Sequence, residues 1–120
     1  MSHIVNIKTE VRDEHAVRAA CLRLKWEQPI FGVHQVFSVK ETGLAVKAPG
    51  WSYPIVCNLQ TGGVAYDNYN GHWGEQTRLN EFLQAYSVEK AKLEAAKNGY
   101  SVYEEAMADG SIKLSVTVEA

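Results

Sequence analysis

Polar and apolar residues alternate from the start of the chain. Across residues 2–11, His3, Val5, Ile7, Thr9 and Val11 fall on one side and Asn6, Lys8 and Glu10 on the other. A period of two with β-branched residues predicts a half-buried strand. The period then changes. Asp13 reads as a helix N-cap with Glu14 in the first turn, and Val17, Ala20, Cys21 and Leu24 follow at helical spacing. That is the apolar stripe of a short amphipathic helix, with Arg18, Arg23 and Lys25 toward its wet side and C-terminal end. Pro29 disfavours helix at Gln28 and makes 26–29 a connection. Residues 33–39 read as a strand, Glu41-Thr42-Gly43 as a turn and 44–47 as a short return strand. Ala48-Pro49-Gly50 turns again. Residues 53–59 and 64–68 read as two strands joined by the hairpin turn Gln60-Thr61-Gly62-Gly63.

Residues 69–74 show no period. A long helix is predicted from Glu75 or Thr77 to about Lys97, striped by Leu79, Phe82, Leu83, Tyr86 and Leu93 and stopped by Asn98-Gly99. Its charges, Glu89, Lys90, Lys92, Glu94 and Lys97, read as a solvated face with near-neighbour pairs. Two last strands, 100–107 and 111–119, flank the tight turn Asp109-Gly110. The order is β-α-β-β-β-β-α-β-β. The predicted fold is one α+β domain spanning 1–120, an antiparallel sheet of about six to seven strands with two helices packed on one face.

Composition adds an asymmetry to this outline. The 120 residues are 46% hydrophobic and 22% charged, ordinary values for one globular domain. Between Ala48 and Gly74, however, the only formal charge is Asp67. The same stretch holds Trp51, Tyr53, Tyr66, Tyr69 and Trp73, five of the twelve aromatic residues, and five of the nine glycines. The pI of about 6.1 argues against nucleic acid as a partner without excluding it. No run approaches the ~18 apolar residues of a membrane span, and no signal peptide is evident. Cys21 and Cys57 form no CxxC motif. A reduced cytoplasmic protein is the simplest reading, with a disulfide between them left open.

Signatures of catalysis are absent: there is no Walker-type loop, no GxGxxG, no HExxH and no GxSxG. The expectation is a protein without catalytic residues, metal or cofactor. The spacing of His3, His15, His34 and His72 gives no support for zinc. Cys57 beside His34 or His72 would make a nucleophile pair, but a plain buried thiol is the simpler reading. The best site candidate is the aromatic–polar set Trp51, Tyr66, Asp67, Asn68, Tyr69, Asn70, His72 and Trp73. Flat rings beside amide, carboxylate and imidazole groups suit either a protein partner or a planar ligand such as a nucleotide or single-stranded nucleic acid. The same residues would equally serve as core and turns.

Met1-Ser2-His3-Ile4-Val5-Asn6-Ile7-Lys8-Thr9 and Asp109-Gly110-Ser111-Ile112-Lys113-Leu114-Ser115-Val116 resemble the two ends of domain-of-unknown-function family 1257, whose members are bacterial proteins with a cyanobacterial and chloroplast branch. Between them, Gly43-Leu44-Ala45-Val46, Pro49-Gly50-Trp51, Tyr53-Pro54-Ile55-Val56-Cys57, Tyr66-Asp67-Asn68-Tyr69, Phe82-Leu83-Gln84-Ala85-Tyr86 and Val88-Glu89-Lys90-Ala91 look like the bacterial branch. The resemblance covers essentially the whole chain. It implies a small soluble accessory protein of unassigned role and carries over no site residue. The resulting expectation is a protein that acts through a protein partner or a second copy of itself, or alternatively a binding module for a nucleotide, single-stranded nucleic acid or another planar ligand.

Overall fold

A computed structural model describes residues 5–7 and 10–118. Its elements, in chain order, are β1 (Val5–Ile7), α1 (Glu14–Leu24), β2 (Ile30–Val36), β3 (Val39–Val46), β4 (Ile55–Asn58), β5 (Gly63–Tyr66), a single 3-10 turn (Tyr69–Gly71), α2 (Gln76–Lys97), β6 (Tyr100–Ala106) and β7 (Ile112–Val118). The parts of the first and last predicted strands at residues 2–4, 8, 9 and 119, including His3, lie outside the described residues.

The fold is α+β and antiparallel, but the expected single sheet is two among the described residues. Five strands run in the order β1-β5-β4-β3-β2, and β6 pairs only with β7. The reason is length. At about 1.5 Å per residue, the 22-residue α2 carries the chain roughly 33 Å, well beyond the ends of four-residue strands such as β4.

Both helices pack on one face of the larger sheet. Leu44 and Val46 of β3, Ile55 and Cys57 of β4, and Val64 and Tyr66 of β5 meet Val17, Ala20 and Cys21 of α1 and Leu79, Phe82 and Tyr86 of α2. The helical stripes are those the periodicity predicts. Asp13 is the N-cap of α1, its carboxylate accepting from the Ala16 N–H at 3.2 Å, a cap that contributes about 1 kcal/mol. The Tyr86 hydroxyl accepts from the N–H groups of Arg12 and Asp13, both at 3.2 Å, and donates to the Glu10 carbonyl at 3.3 Å. It thereby pins the segment before α1 to α2.

The second correction concerns the hairpin β2–β3. The predicted turn at Glu41-Thr42-Gly43 lies inside β3; the chain reverses at Phe37-Ser38, with Val36 paired to Val39 and Gly32 paired to Gly43. At the glycine pair the hairpin bends. In a straight strand residues four apart are separated by about 13 Å, yet the His34 Nε2 lies 3.0 Å from the Ile30 carbonyl oxygen. A methyl group at Gly43 would fall inside the carbonyl of Cys57, so the bend seats the hairpin directly on the backbone of β4. The arm beyond the bend, about five residues and ~17 Å long, folds back over the sheet face that the helices leave open. Its tip residue Phe37 meets Trp73 at 5.0 Å and Tyr53 at 6.2 Å between ring centroids. Ala45, Val56 and Ala65, which point away from the helices, are buried under it together with Val36.

The β6–β7 hairpin lies along α2, its turn held where the Gln84 side-chain amide donates to the Gly110 carbonyl at 3.0 Å. Glu104 anchors it to both helices, 2.5 Å from Arg23 of α1 and 3.0 Å from Lys92 of α2. Arg23 also meets Glu89 at 3.2 Å, so this arginine of the predicted wet side joins three elements. The hairpin adds length to the molecule, whose radius of gyration of 15.2 Å exceeds the roughly 14 Å of a compact chain of this size.

Two outcomes follow. Gly43→Ala is expected to destabilise the protein by about 2–3 kcal/mol in a denaturant titration, because the displaced backbone of Cys57 belongs to a central strand. Hydrogen bonds from Arg23 and Lys92 hold the Glu104 carboxyl down to about 2. Since this value lies below the ordinary one, the stabilisation is complete above pH ~4.3 and is lost as pH falls toward 2. Glu104→Gln is expected to lower the melting temperature at pH 7 and to lose less stability than the parent between those two values.

Candidate functional site

Residues 67–75 form a loop closed upon itself by Asp67 and Asn68. The Asp67 Oδ1 accepts from the Tyr69 N–H at 3.0 Å. The Asn68 carbonyl accepts from the N–H groups of Gly71 (3.0 Å) and Trp73 (2.9 Å). Its side-chain amide donates to the Gly74 carbonyl at 3.2 Å and to the Gln76 Oε1 at 3.1 Å. The second of these ties the loop to the first turn of α2. Such bonds hold Tyr69 and Asn70 at φ +46° and +51°, left-handed conformations that cost non-glycine residues roughly 1–2 kcal/mol each.

Burial divides the predicted site residues. Tyr66, Asp67 and Asn68 are buried and cannot present themselves to a partner. Tyr66 is part of the helix-side core, where its ring lies 5.7 Å from that of Trp51. The Asp67 Oδ2 is buried and has no hydrogen-bond partner among the described residues. Trp51 is half-buried. Its indole N–H donates to the Glu75 carbonyl at 3.1 Å, and Gly74 sits so close against the ring that no side chain would fit there. Tyr69, Asn70 and His72 are exposed, and Trp73 is half-buried.

The structure brings Tyr69, His72 and Trp73 together, with Tyr69 4.9 Å from His72 and 4.8 Å from Trp73 between ring centroids. Two members of this cluster escaped the sequence reading. Tyr53 lies 5.5 Å from Trp73 and Phe37 lies 5.0 Å from it. Tyr53 already belongs to the aromatic-rich stretch, whereas Phe37 reads in sequence as an ordinary strand residue. The Ser52 N–H donates to the Trp73 carbonyl at 2.8 Å and fastens the two aromatic loops to each other. The rings of the cluster pack on one another.

A cleft exists nearby. Where the bent arm meets the loop before β4, a cavity of ≈ 220 Å³ is lined by Ile30, Ala45, Ala48, Pro54, Trp51 and Tyr53, with His34, Ser52, Gln28, Glu27 and Lys47 around it. Lys47 and Glu27 stand 3.6 Å apart and are both highly exposed.

Catalytic arrangements fare less well. Cys57 points to the helix-side core, paired across the strands with Leu44, whereas His34 lies on the other side of the sheet with Ala45. No thiol–imidazole pair joins those two. Both cysteines are buried and free; burial pushes the thiol of Cys21 up to about 11 and that of Cys57 up to about 12, so neither supplies a thiolate at neutral pH. Among the described residues no group of three His, Cys, Asp or Glu side chains is placed to hold a metal ion, and no helix is long and apolar enough to cross a membrane.

Comparison of the chain with protein-family models, with curated proteins and with solved structures finds no match.

Asn68→Ala removes both side-chain bonds that close the loop. The expected cost is about 1–3 kcal/mol in a denaturant titration, with a red-shifted tryptophan emission as Trp73 becomes wetter. An unchanged melting curve would mean that the loop does not depend on this amide.

Proposed function

We propose that this protein acts by protein–protein interaction, through the edge strand β2. The supporting observation is the exposure of three large apolar side chains along β2. On the convex side of the bend Phe31 and Val33 project next to each other with 68% and 64% of their surfaces exposed, and Ile30 on the other side of the strand is 65% exposed. The seven residues of β2 include no formal charge and no proline, the features that usually guard an edge against pairing. Exposed large apolar side chains clustered at a sheet edge suit strand addition or side-chain docking by a partner or a second copy. The aromatic loop at 69–73 is the weaker candidate, because its rings are largely spent on each other. Kinship with domain-of-unknown-function family 1257, and with it an accessory role in the cytoplasm, belongs to the same proposal. The two free, buried thiols are in keeping with a reducing compartment.

Phe31→Lys with Val33→Lys tests the reading, since both side chains are exposed and their loss costs the monomer little. The wild-type chain is expected to sediment as an assembly, or to retain a specific partner from its native extract, and the double variant to lose that association with its melting temperature preserved. A monomeric wild type that recovers the same proteins as the variant would sink the proposal.

A further inference from the structure

We infer that the cavity beneath the bent arm is a binding site for a neutral heteroaromatic ring of nucleobase size. It goes beyond the edge-strand reading. Phe31 and Val33 lie on the convex side of the bend, whereas the cavity lies on the concave side and shares only Ile30 with the edge surface, so variants at Phe31 and Val33 and variants at Ala45 or Ser52 test the two proposals separately.

Four features carry the assignment. The first is size. The cavity of ≈ 220 Å³ lies below the roughly 300–1,000 Å³ of pockets for drug-sized ligands, which suits one or two fused rings rather than a whole nucleotide. The second is lining. Ala45, Ala48 and Pro54 make an apolar floor with the exposed Ile30 at its edge, and Trp51 and Tyr53 make an aromatic wall. Aromatic walls favour planar, polarisable rings. The third is the rim. Lys47 and Glu27, 3.6 Å apart, offer a donor beside an acceptor, which complements the adjacent acceptor and donor on the edge of a base or cyclic amide. Their charges cancel, so the rim has no strong preference for an ionic ligand, and the apolar floor has nothing to hold a phosphate. Both side chains are more than 70% exposed, and an exposed pair at this distance is worth little, so re-aiming it at a ligand costs little. The fourth is rigidity. One wall is the bent hairpin, locked by Gly43 on the β4 backbone, and the other is Trp51, fixed by its bond to the Glu75 carbonyl. The site is formed before any ligand arrives, which limits the ordering cost of binding.

The aromatic loop of residues 69–73 drew attention in the sequence for the same chemistry. Its rings pack on one another, whereas Trp51 and Tyr53 of the same aromatic-rich stretch line the cavity. Planar-ligand binding therefore belongs to Trp51 and Tyr53 rather than to Tyr69, His72 and Trp73.

The test is a titration of the labelled full chain with adenosine, guanosine, cytidine and uridine, followed by proton–nitrogen correlation spectra. The Trp51 indole N–H is the reporter, assigned by its disappearance in Trp51→Phe. At least one nucleoside is expected to shift it with a dissociation constant of about a millimolar, the range open to a ligand with so few buried atoms. Ala45→Leu, which fills the floor, is expected to weaken that affinity about tenfold or more. If that variant does not fold, Ser52→Phe at the exposed rim serves the same purpose. Indole, a ring of the right size without the acceptor–donor edge, is expected to bind more weakly than the best nucleoside. Shifts confined to residues 69–73, an affinity untouched by a folded blocking variant, indole binding as tightly as the nucleosides, or no shift with any nucleoside at millimolar concentration would each overturn the inference.

Discussion

The approach of Gly43 to the carbonyl of Cys57 is the contact on which the outer half of the molecule depends. A backbone without a side chain at that point lets the long hairpin turn at its Gly32–Gly43 pair and lie back across the sheet. Val36 is buried, as are Val56 and its alanine neighbours, and Phe37 reaches the rings of Tyr53 and Trp73. The same bend leaves Phe31 and Val33 on its convex side, past the cover of the helices. One close approach therefore produces a second small core, an aromatic cluster, a rigid cavity and an exposed apolar edge.

The helix side is held by different physics. Its core is a continuous apolar layer between α1, α2 and the sheet, and burial of such side chains at ~25 cal/mol per Å² supplies the main driving force. Around that layer, polar side chains connect elements distant in sequence. Tyr86 of α2 serves the backbone before α1, and Lys90 of α2 meets Asp13 at 3.0 Å, the residue that also caps α1. Arg23, Glu89, Lys92 and Glu104 form a four-member network where α1, α2 and the last hairpin meet. These pairs are partly exposed, so their individual worth is small. Their role is to orient: a two-stranded hairpin is marginal alone and needs the side of a helix to lie on.

Local elements were legible wherever one residue pattern had one physical meaning. The helix stripes, the Asp13 cap, the Asn98-Gly99 stop and the Asp109-Gly110 turn all stand where periodicity and capping chemistry place them. The β2–β3 hairpin was misread because Gly43 satisfies two descriptions. A glycine after Glu41-Thr42 looks like a turn, but here it lies in mid-strand, where the absence of a Cβ permits close packing instead of a reversal. The true reversal at Phe37-Ser38 carries no glycine, proline, asparagine or aspartate, and Phe37 adopts φ +50°. Its ring contacts with Tyr53 and Trp73 account for an aromatic residue at a tip.

The candidate site divides along the same line. By itself the sequence determined the α+β class, the two amphipathic helices and the charge-poor, aromatic-rich stretch between Ala48 and Gly74, because these follow from residue type and short-range spacing. Only the tertiary structure decided which of those aromatics line a cavity. It buried Tyr66, Asp67 and Asn68, brought Phe37 to Trp73 across 36 positions of chain, and set Trp51 and Tyr53 beside Ile30 and Lys47. Composition is a property of neighbours in sequence. Concavity arises when distant segments fold over each other, and here it rests on one glycine pressed against one carbonyl.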